Sequence, residues 1–190
     1  MKVGLFFGSF NPIHVGHLII ANIVYETTQI DQVWFIVSPQ NPLKKSKSLA
    51  HEFDRIDMVR AAVNDLYHFK ASDIEFGLPK PSYTITTLTL LKEKYPDYTF
   101  RLIIGEDNLS SFPRWKNHED ILEDYGLIVY PRPNASEISI SHPNIENIEA
   151  PKMDISATQI RQFVKAGKSI KFLVPDEAID IIKARKLYIN

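Results

Sequence analysis

The 190-residue sequence contains no cysteine. Disulfide bonds, thiolate nucleophiles and cysteine-bound zinc are therefore excluded, and the sequence is compatible with a reducing compartment. Long apolar runs are also missing, since runs such as residues 3–7 and 33–37 are far too short to span a bilayer. The N-terminus lacks the cleavage pattern of a signal peptide. We therefore expect a cytoplasmic protein with no membrane partner.

An excess of charge of one sign is missing as well. The 22 Lys and Arg residues nearly balance the 23 Asp and Glu residues, which leaves a formal net charge of −1. Without a basic excess, we expect no nucleic-acid partner. The composition, 44% hydrophobic and 24% charged, is typical of a globular protein, and the length predicts a single domain over residues 1–190. The sequence is compatible with a homo-oligomer but does not decide the oligomeric state.

Short apolar runs alternate along the chain with segments of helical periodicity. The runs predict buried strands at residues 3–7, 33–37, 100–104 and 126–130, and the periodic segments predict helices at residues 17–25, 54–66, 83–95 and 118–124. This alternation predicts an α/β fold, a doubly wound parallel sheet with helices on both faces. Residues 134–147 are expected to form loop and short strand. Two more helices, at residues 156–166 and 175–186, predict a small C-terminal helical segment over about residues 155–190.

The first predicted strand leads into the turn Gly8-Ser9-Phe10-Asn11-Pro12-Ile13-His14-Val15-Gly16-His17. In an open parallel sheet, ligands bind beyond the carboxyl ends of the strands, and phosphates meet the N-terminus of the following helix. Gly8 lets the backbone approach a ligand, and Ser9 and Phe10 offer N–H groups. His14 and His17 are expected on one side of the opening helical turn. Two imidazole donors there would stabilise the charge that develops on a polyphosphate during group transfer.

Other interpretations of the histidine pair stay open. A His-x-x-His spacing also occurs as a surface or capping feature, and it can supply two ligands to a zinc site. Zinc requires a third ligand, and the histidines at positions 51, 68, 118 and 142 show no ligand spacing. The G-x-G-x-x-G and G-x-x-x-x-G-K-[ST] motifs are absent, which argues against an ordinary dinucleotide-binding oxidoreductase and against a P-loop enzyme.

A second candidate site lies near the C-terminus, at Ile155-Ser156-Ala157-Thr158-Gln159-Ile160-Arg161. Ser156 is a good helix N-cap, and the hydroxyls of Ser156 and Thr158, with the free N–H groups of the first helical turn, can bind a phosphate. Arg161 adds a planar fork of donors. By itself this stretch is typical of an ordinary helix cap. Paired with the histidines, it indicates a second set of phosphate-binding groups.

Together the two stretches resemble the two signatures of the nucleotidylyltransferase superfamily. Residues 8–17 are similar to G-[ST]-F-[DN]-P-x-H-x-G-H, and residues 155–161 are similar to I-S-x-T-x-[IV]-R, in the expected order. The middle of the chain resembles bacterial nicotinate-nucleotide adenylyltransferases in three stretches: Pro81-Ser82-Tyr83-Thr84, Ile103-Ile104-Gly105-Glu106-Asp107 and Phe112-Pro113-Arg114-Trp115. The resemblance covers nearly the whole chain and implies a Rossmann-like fold.

The resemblance implies a catalytic role for His14 and His17, which would contact the ATP phosphates and the transition state. Asp107 would bind a ribose hydroxyl, although taken alone it is also typical of a helix cap. No residue is expected to bind a metal ion directly, and Mg²⁺ is expected as the cofactor that accompanies ATP, bound mainly by phosphate oxygens and water. The full implied ATP site comprises Gly8, Ser9, Phe10, His14, His17, Gly105, Asp107, Ser156, Thr158 and Arg161.

For the second substrate, nicotinate mononucleotide, the resemblance implies a separate set of residues. Trp115 would stack on the pyridine ring, and backbone N–H groups near Thr84 and Lys116 would bind the ring carboxylate. Lys44, together with Lys45, would bind the phosphate. Without the resemblance, Trp115 is typical of a packed core aromatic, and a lysine-rich loop is typical of a solvated surface.

Three positions depart from the common pattern of this family. Phe7 precedes Gly8 where a double glycine is usual, Asn11 stands where aspartate is frequent, and Lys44 replaces a histidine often present in that loop. The last change weakens the assignment of the mononucleotide phosphate site, whereas the expected reaction class is unaffected.

The expected reaction is transfer of AMP from ATP to nicotinate mononucleotide, which yields nicotinate adenine dinucleotide and pyrophosphate, a step in NAD biosynthesis. The attacking phosphate is already an anion, so alignment and charge neutralisation suffice and no protein nucleophile is needed. The alternatives are adenylyl transfer to nicotinamide mononucleotide or phosphopantetheine, a nucleotide-binding protein without catalysis, and a metal-dependent hydrolase that uses the two histidines.

Overall fold

The computed structural model describes residues 1–39, 49–133 and 142–189, which form an alternating series of strands and helices. The strands are β1 (Lys2–Gly8), β2 (Gln32–Val37), β3 (Phe69–Ser72), β4 (Thr99–Gly105), β5 (Leu127–Tyr130) and β6 (Ile145–Asn147). The α-helices are α1 (Val15–Thr27), α2 (Glu52–Val63), α3 (Thr84–Lys94), α4 (Glu106–Leu109), α5 (His118–Asp124), α6 (Ala157–Lys165) and α7 (Asp176–Ala184). Two short 3₁₀ helices cover Ile74–Gly77 and Phe112–Arg114.

The strands form one sheet in the order β3-β2-β1-β4-β5-β6, and every neighbouring pair is parallel. Strand β1 is central, and its Phe6 lies opposite Phe35 of β2 on one side and Ile103 of β4 on the other. The chain winds from β1 towards β3 and then, after α3, from β4 towards β6. The order therefore reverses between β1 and β4, where such sheets bind ligands.

Alternate side chains of the strands pack into two layers, one on each face of the sheet. In β2, Phe35 and Val37 join a core formed with α1, α2, α6 and α7, whereas Trp34 and Ile36 join a core formed with α3 and α5. Burial on both faces explains why the central strands are continuous apolar runs. Ile160 of α6 lies in the first core, so the C-terminal helices pack on the same sheet.

Polar contacts connect the C-terminal helices to the rest of the chain. Arg185, just after α7, donates to Asp54 at 2.7 Å and to Asp57 at 2.8 Å, both in α2. The backbone N–H of Val15, at the start of α1, donates to the carbonyl oxygen of Leu173 at 2.9 Å. These contacts place α7 against α2 and the connection between α6 and α7 beside the start of α1.

The strands and helices predicted from the sequence are present, with ends shifted by three residues or fewer. Strand β3 was not predicted because it is a short edge strand in which polar Lys70 and Ser72 interrupt the apolar character. Strand β6 lies in the stretch expected to contain a short strand. Within residues 1–39, 49–133 and 142–189, no helix combines the length and apolar character needed to cross a membrane.

Candidate active site

Two adjoining cavities open at the carboxyl ends of the central strands. The first, about 590 Å³, lies on the side of α1 and α6, and the second, about 410 Å³, lies on the side of α3. Phe6, Phe7, Gly8, Asn108 and Tyr130 line both cavities, so the two share a wall at the end of β1. This position, where the strand order reverses, is the usual ligand-binding crevice of an open α/β sheet.

The loop after β1 packs closely under the first cavity. Phe10 is 2% exposed and adopts a φ of 44°. A Cβ atom on Gly8 would lie 2.8 Å from the Phe10 ring, so only glycine leaves room for that ring. The ring also packs edge to face against Phe35 and His17, with centroids 5.6 and 5.0 Å apart. Gly8 therefore brings the backbone next to the cavity, and the Phe10 ring packs against the His17 ring.

His14 and His17 lie side by side at the start of α1, as the sequence predicts. Their ring centroids are 3.7 Å apart and their planes differ by 27°. The backbone N–H of His14 donates to Nδ1 of His17 at 3.2 Å, so Nδ1 carries no proton and a neutral His17 is protonated on Nε2. Both residues line the first cavity. The Nε2–H of His17 is thus the ring donor left for a ligand.

Both imidazoles are uncharged at neutral pH in the ligand-free protein. Burial, and then the nearby Arg132 guanidinium, lower the pKa of His14 from 6.5 to about 4. Burial, then His14 and Arg132, hold the pKa of His17 well below its usual value. Among the described residues that line the first cavity, permanent positive charge comes from Arg132 and Arg161. The histidines are therefore neutral hydrogen-bond donors until an anion favours their protonated form.

The second motif reaches the first across the same cavity. Ser156 caps α6, and its hydroxyl oxygen accepts from the N–H of Gln159 at 3.2 Å. The Arg161 guanidinium donates to the carbonyl oxygen of Asn11 at 2.8 Å and to the Thr158 hydroxyl at 3.3 Å. Ser156, Thr158 and Arg161 line the first cavity together with both histidines. The structure thus brings the two predicted motifs together.

Asn11, the residue that departs from the frequent aspartate, connects three parts of the chain. Its side chain is buried, and its Oδ1 accepts from the N–H of Ala50 at 3.1 Å and from the hydroxyl of Tyr188 at 2.8 Å. Burial raises the pKa of Tyr188, so this hydroxyl stays protonated and donates. Tyr188 therefore helps to fix the loop after β1, in which the Asn11 carbonyl oxygen accepts from Arg161.

Arg55 of α2 is a fully buried cation that supports the same loop. Its guanidinium donates to the carbonyl oxygens of Ser9 at 2.6 Å, Ser38 at 2.7 Å, and Ala50 and Pro39 at 3.0 Å each. Carbonyl oxygens thus accept these hydrogen bonds, and the nearby Glu52 carboxylate adds a favourable charge interaction. Arg55 joins the end of β2, the start of α2 and the loop after β1.

The ends of β4 and β5 supply the opposite side of the first cavity. Asp107 is exposed in α4, lines this cavity, and lies 3.8 Å from the Nε of Arg132. Glu106 accepts from the backbone N–H of Arg132 at 3.4 Å. Gly105 lines the second cavity rather than the first, and a Cβ atom there would collide with the Asp107 carboxylate. Gly105 therefore contributes to the predicted ATP site only by leaving space for the Asp107 carboxylate.

Thr84, Trp115 and Lys116 converge on the second cavity. Thr84 begins α3, and the preceding Tyr83 makes no side-chain cap. The N–H groups of Thr86 and Thr87 donate to the Tyr83 carbonyl oxygen at 2.9 and 3.3 Å, which leaves those of Thr84 and Ile85 as the first N–H groups without an intrahelical acceptor. Trp115 is half-buried and packs on Phe112 with ring centroids 5.5 Å apart. The Nζ of Lys116 lies 5.0 Å from the ring centroid of Tyr83. Trp115 thus both packs against the core and lines the cavity.

Two predicted residues cannot be compared with the structure, and some residues that line the cavities were not predicted. Lys44 and Lys45, the predicted phosphate ligands, lie outside the described residues. Arg132 and Tyr130 line the first cavity but were not among the predicted site residues, although their place at the end of β5 is the signal that could have found them. Glu75 lines the second cavity without any motif to mark it. Across the described ranges, no three His, Asp or Glu side chains are grouped to hold a metal ion.

Comparison with known proteins agrees with the resemblance of these motifs. Residues 5–163 match the cytidylyltransferase-like family. The chain is 60% identical over 191 residues to a Cytophaga hutchinsonii protein, covering 100% of both, and 50% identical over 192 residues to a Flavobacterium johnsoniae protein, covering 99% of both. Each carries the name "Probable nicotinate-nucleotide adenylyltransferase". The chain belongs to the nicotinate-nucleotide adenylyltransferase family.

Solved structures share the fold of this family member. Plasmodium falciparum nicotinic acid mononucleotide adenylyltransferase complexed with NaAD has a TM-score of 0.81 at 22% identity, covering 98% of this chain and 97% of that chain. The same enzyme complexed with APC has a TM-score of 0.80 at 22% identity, with 98% and 96% covered. The predicted Rossmann-like fold is confirmed.

Proposed function

We propose that the protein transfers the AMP group of ATP to nicotinate mononucleotide, forming nicotinate adenine dinucleotide and pyrophosphate. The observation that carries this proposal is the wall shared by the two cavities. One cavity is lined by phosphate-binding groups, the other by an indole and a helix N-terminus, and both are bounded by Gly8 and Tyr130. Two substrates bound there would bring their phosphates together at the end of β1.

In this proposal the first cavity binds ATP. The Nε2–H of His17 donates to the phosphate that is attacked, and His14 lies stacked beside it. Arg161, Ser156 and Thr158 hold the β- and γ-phosphates at the N-terminus of α6, where helix N–H groups favour an anion. Asp107 accepts from a ribose hydroxyl at the rim of the cavity. Arg132 is a further cation within this arrangement.

The second cavity binds nicotinate mononucleotide. The pyridine ring stacks on Trp115, and its carboxylate meets the N–H groups at Thr84 and Lys116. The positive end of the α3 dipole favours that carboxylate, which distinguishes nicotinate from the uncharged nicotinamide. Lys44 stays the predicted ligand for the mononucleotide phosphate.

The reaction is an in-line displacement. An oxygen of the mononucleotide phosphate forms a bond to the α-phosphorus of ATP, while the bond between that phosphorus and the bridging oxygen to the β-phosphorus breaks. Pyrophosphate leaves with both electrons of the broken bond. The protein contributes alignment and stabilisation of the negative charge that develops, through His17, Arg161 and their neighbours.

Mg²⁺ enters this proposal with ATP, whose charge it neutralises when bound. The first cavity is lined by a single described carboxylate, Asp107. This donor set suits a cation held by phosphate oxygens and water, since Mg²⁺ retains several waters.

The test is pyrophosphate release from ATP and Mg²⁺, with nicotinate mononucleotide, nicotinamide mononucleotide or phosphopantetheine offered separately. We expect release to be fastest with nicotinate mononucleotide. Release only with another acceptor would overturn the assignment of Thr84 and Trp115. ATP binding without release would favour a nucleotide-binding protein without catalysis.

A His17→Ala variant tests the catalytic assignment. We expect kcat to fall by about 10²-fold or more, with a much smaller change in the affinity for ATP, because the lost hydrogen bond acts mainly in the transition state. His142→Ala is the control, since His142 is not among the residues lining either cavity. A normal kcat in the His17→Ala variant would disprove the assignment.

A further inference from the structure

Glu75 is a buried carboxylate that the proposed chemistry does not use. It lies in the 3₁₀ helix Ile74–Gly77, between β3 and α3, and is 2% exposed. Its Oε1 accepts from the hydroxyl of Thr87 in α3 at 2.7 Å. Its Oε2 is buried and has no hydrogen-bond partner in the described part of the chain. A buried carboxylate oxygen left without a partner is costly, so its retention calls for a ligand or a function.

The position of Glu75 connects it to the second cavity. It forms part of the wall that also contains Ser82, Thr84 and Trp115. Among the described residues that line this cavity, Glu75 is the only acidic one. The cations of the same lining, Arg114 and Lys116, are exposed. Negative charge therefore lies inside the wall, and positive charge lies near the solvent.

The pyridine ring of a mononucleotide carries charge of its own. Its nitrogen is bonded to the ribose and is therefore positively charged, while the ring substituent of nicotinate is a carboxylate. A ring of this kind needs negative charge near its nitrogen and hydrogen-bond donors near its substituent. The α3 N-terminus supplies the donors, which leaves the positive ring without a described partner other than the face of Trp115.

We infer that Glu75 is a specificity-determining residue whose carboxylate selects the positively charged pyridinium ring in the second cavity. This inference rests on the proposed function, because it assumes that a pyridine mononucleotide binds there. The carboxylate acts through its charge, which is effective across a poorly solvated wall. The bond from Thr87 fixes the carboxylate in place. The substrate class is thereby narrowed to oxidised pyridinium mononucleotides, and the reduced dihydropyridine forms, whose ring is neutral, are disfavoured.

The first experiment uses the unmodified protein and measures the Kd of nicotinate mononucleotide and of its 1,4-dihydro form by isothermal titration calorimetry. We expect at least about tenfold tighter binding of the oxidised form. Both ligands carry the same phosphate, ribose and carboxylate, so the comparison isolates the charge and shape of the ring. Equal affinities would overturn the inference without the use of any variant.

The second experiment compares Glu75→Gln with Thr87→Val. Glutamine keeps an oxygen that can accept from Thr87 but removes the charge, whereas Thr87→Val keeps the charge and removes the hydrogen bond. In Glu75→Gln we expect KM for nicotinate mononucleotide to rise about tenfold, with kcat and KM for ATP nearly unchanged, and the preference for the oxidised ring to disappear. In Thr87→Val the preference should persist, although the midpoint of urea unfolding falls.

These outcomes separate the inference from the proposed function. An unchanged ring preference in Glu75→Gln, with wild-type turnover of nicotinate mononucleotide, would overturn the role of Glu75 alone. Absence of turnover in the unmodified protein would instead overturn the proposed function. Circular dichroism of each variant establishes that it is folded before its Kd is measured.

Discussion

The stacked rings of His14 and His17 explain how an uncharged pair of histidines can receive a polyphosphate. Burial, and then repulsion from nearby positive charge such as Arg132, disfavours protonation of these rings, whose centroids are 3.7 Å apart, so the neutral form is favoured before a ligand binds. In the proposed complex, the negative charge of a phosphate opposes this preference because it favours the protonated form. The pair therefore avoids the cost of two buried cations in the free protein.

The low pKa values of these histidines make stability depend on pH in a defined direction. In the unfolded chain His14 binds a proton near pH 6.5, whereas in the folded protein it binds one only near pH 4. The contribution of such a histidine to stability is therefore fully present above pH 6.5. As the pH falls from 6.5 towards 4, the free energy of unfolding decreases by about 1.4 kcal/mol per pH unit for each such histidine. Urea unfolding at pH 7.5, 6.0 and 5.0 measures this decrease.

The matched variant for this prediction is His14→Gln, which removes one titrating group and keeps a polar side chain. Carboxylates titrate equally in both proteins, so the difference between the two slopes reports His14. We expect a shallower loss of stability below pH 6.5 in the variant. Identical slopes would contradict the assignment of a depressed pKa to His14.

Among the secondary-structure elements, the start of α2 has an importance that its sequence does not suggest. Arg55 replaces the water that would otherwise solvate four backbone carbonyl groups in three separate segments. A helix that carries such a residue in its first turn is fixed to the loop after β1 and to the end of β2. The position of the loop that lines the first cavity therefore depends on Arg55, a residue outside both motifs.

An Arg55→Met variant tests how much these hydrogen bonds contribute to stability. It leaves buried carbonyl oxygens without donors, and we expect the free energy of unfolding to fall by about 3 kcal/mol. Arg60→Met is the control on the same helix, because Arg60 is exposed and its ion pairs with Asp57 and Asp73 contribute about 0.5 kcal/mol or less. Urea denaturation measures both. Similar losses in the two variants would show that Arg55 contributes no more to the free energy of unfolding than an exposed arginine does.

The elements also show which features the sequence could predict. Strands β1 and β2 are buried on both faces, so their continuous apolar runs mark them, whereas the edge strand β3 has one large buried side chain, Phe69. The two histidines and Arg161 were predictable because their motifs are contiguous. Arg132 is marked only by its place just after the predicted strand β5, whereas Glu75 joins its cavity through the tertiary fold and no local pattern distinguishes it from other charged residues.

For the whole molecule, the two cavities predict simultaneous binding of two ligands. A ligand present at 100 times its Kd raises the free energy of unfolding by about 2.7 kcal/mol. We expect the increments of nicotinate mononucleotide and of an unreactive ATP analogue with a methylene group between the α- and β-phosphorus to add. In the proposed reaction the dinucleotide product would span both cavities, so it should compete with each of them. Competition between the two substrates themselves would contradict the existence of separate sites.

The contact between Tyr188 and Asn11 joins residues 177 positions apart. On a ribosome that adds about 5–20 residues per second, Tyr188 is synthesised roughly nine to thirty-five seconds after Asn11. During this time the central strands can already pair, but the loop after β1 lacks its hydrogen bond from Tyr188. In the proposed function, the ATP site is therefore complete only after Tyr188 has been synthesised, and a chain released before that residue would carry both histidines and yet lack a finished site.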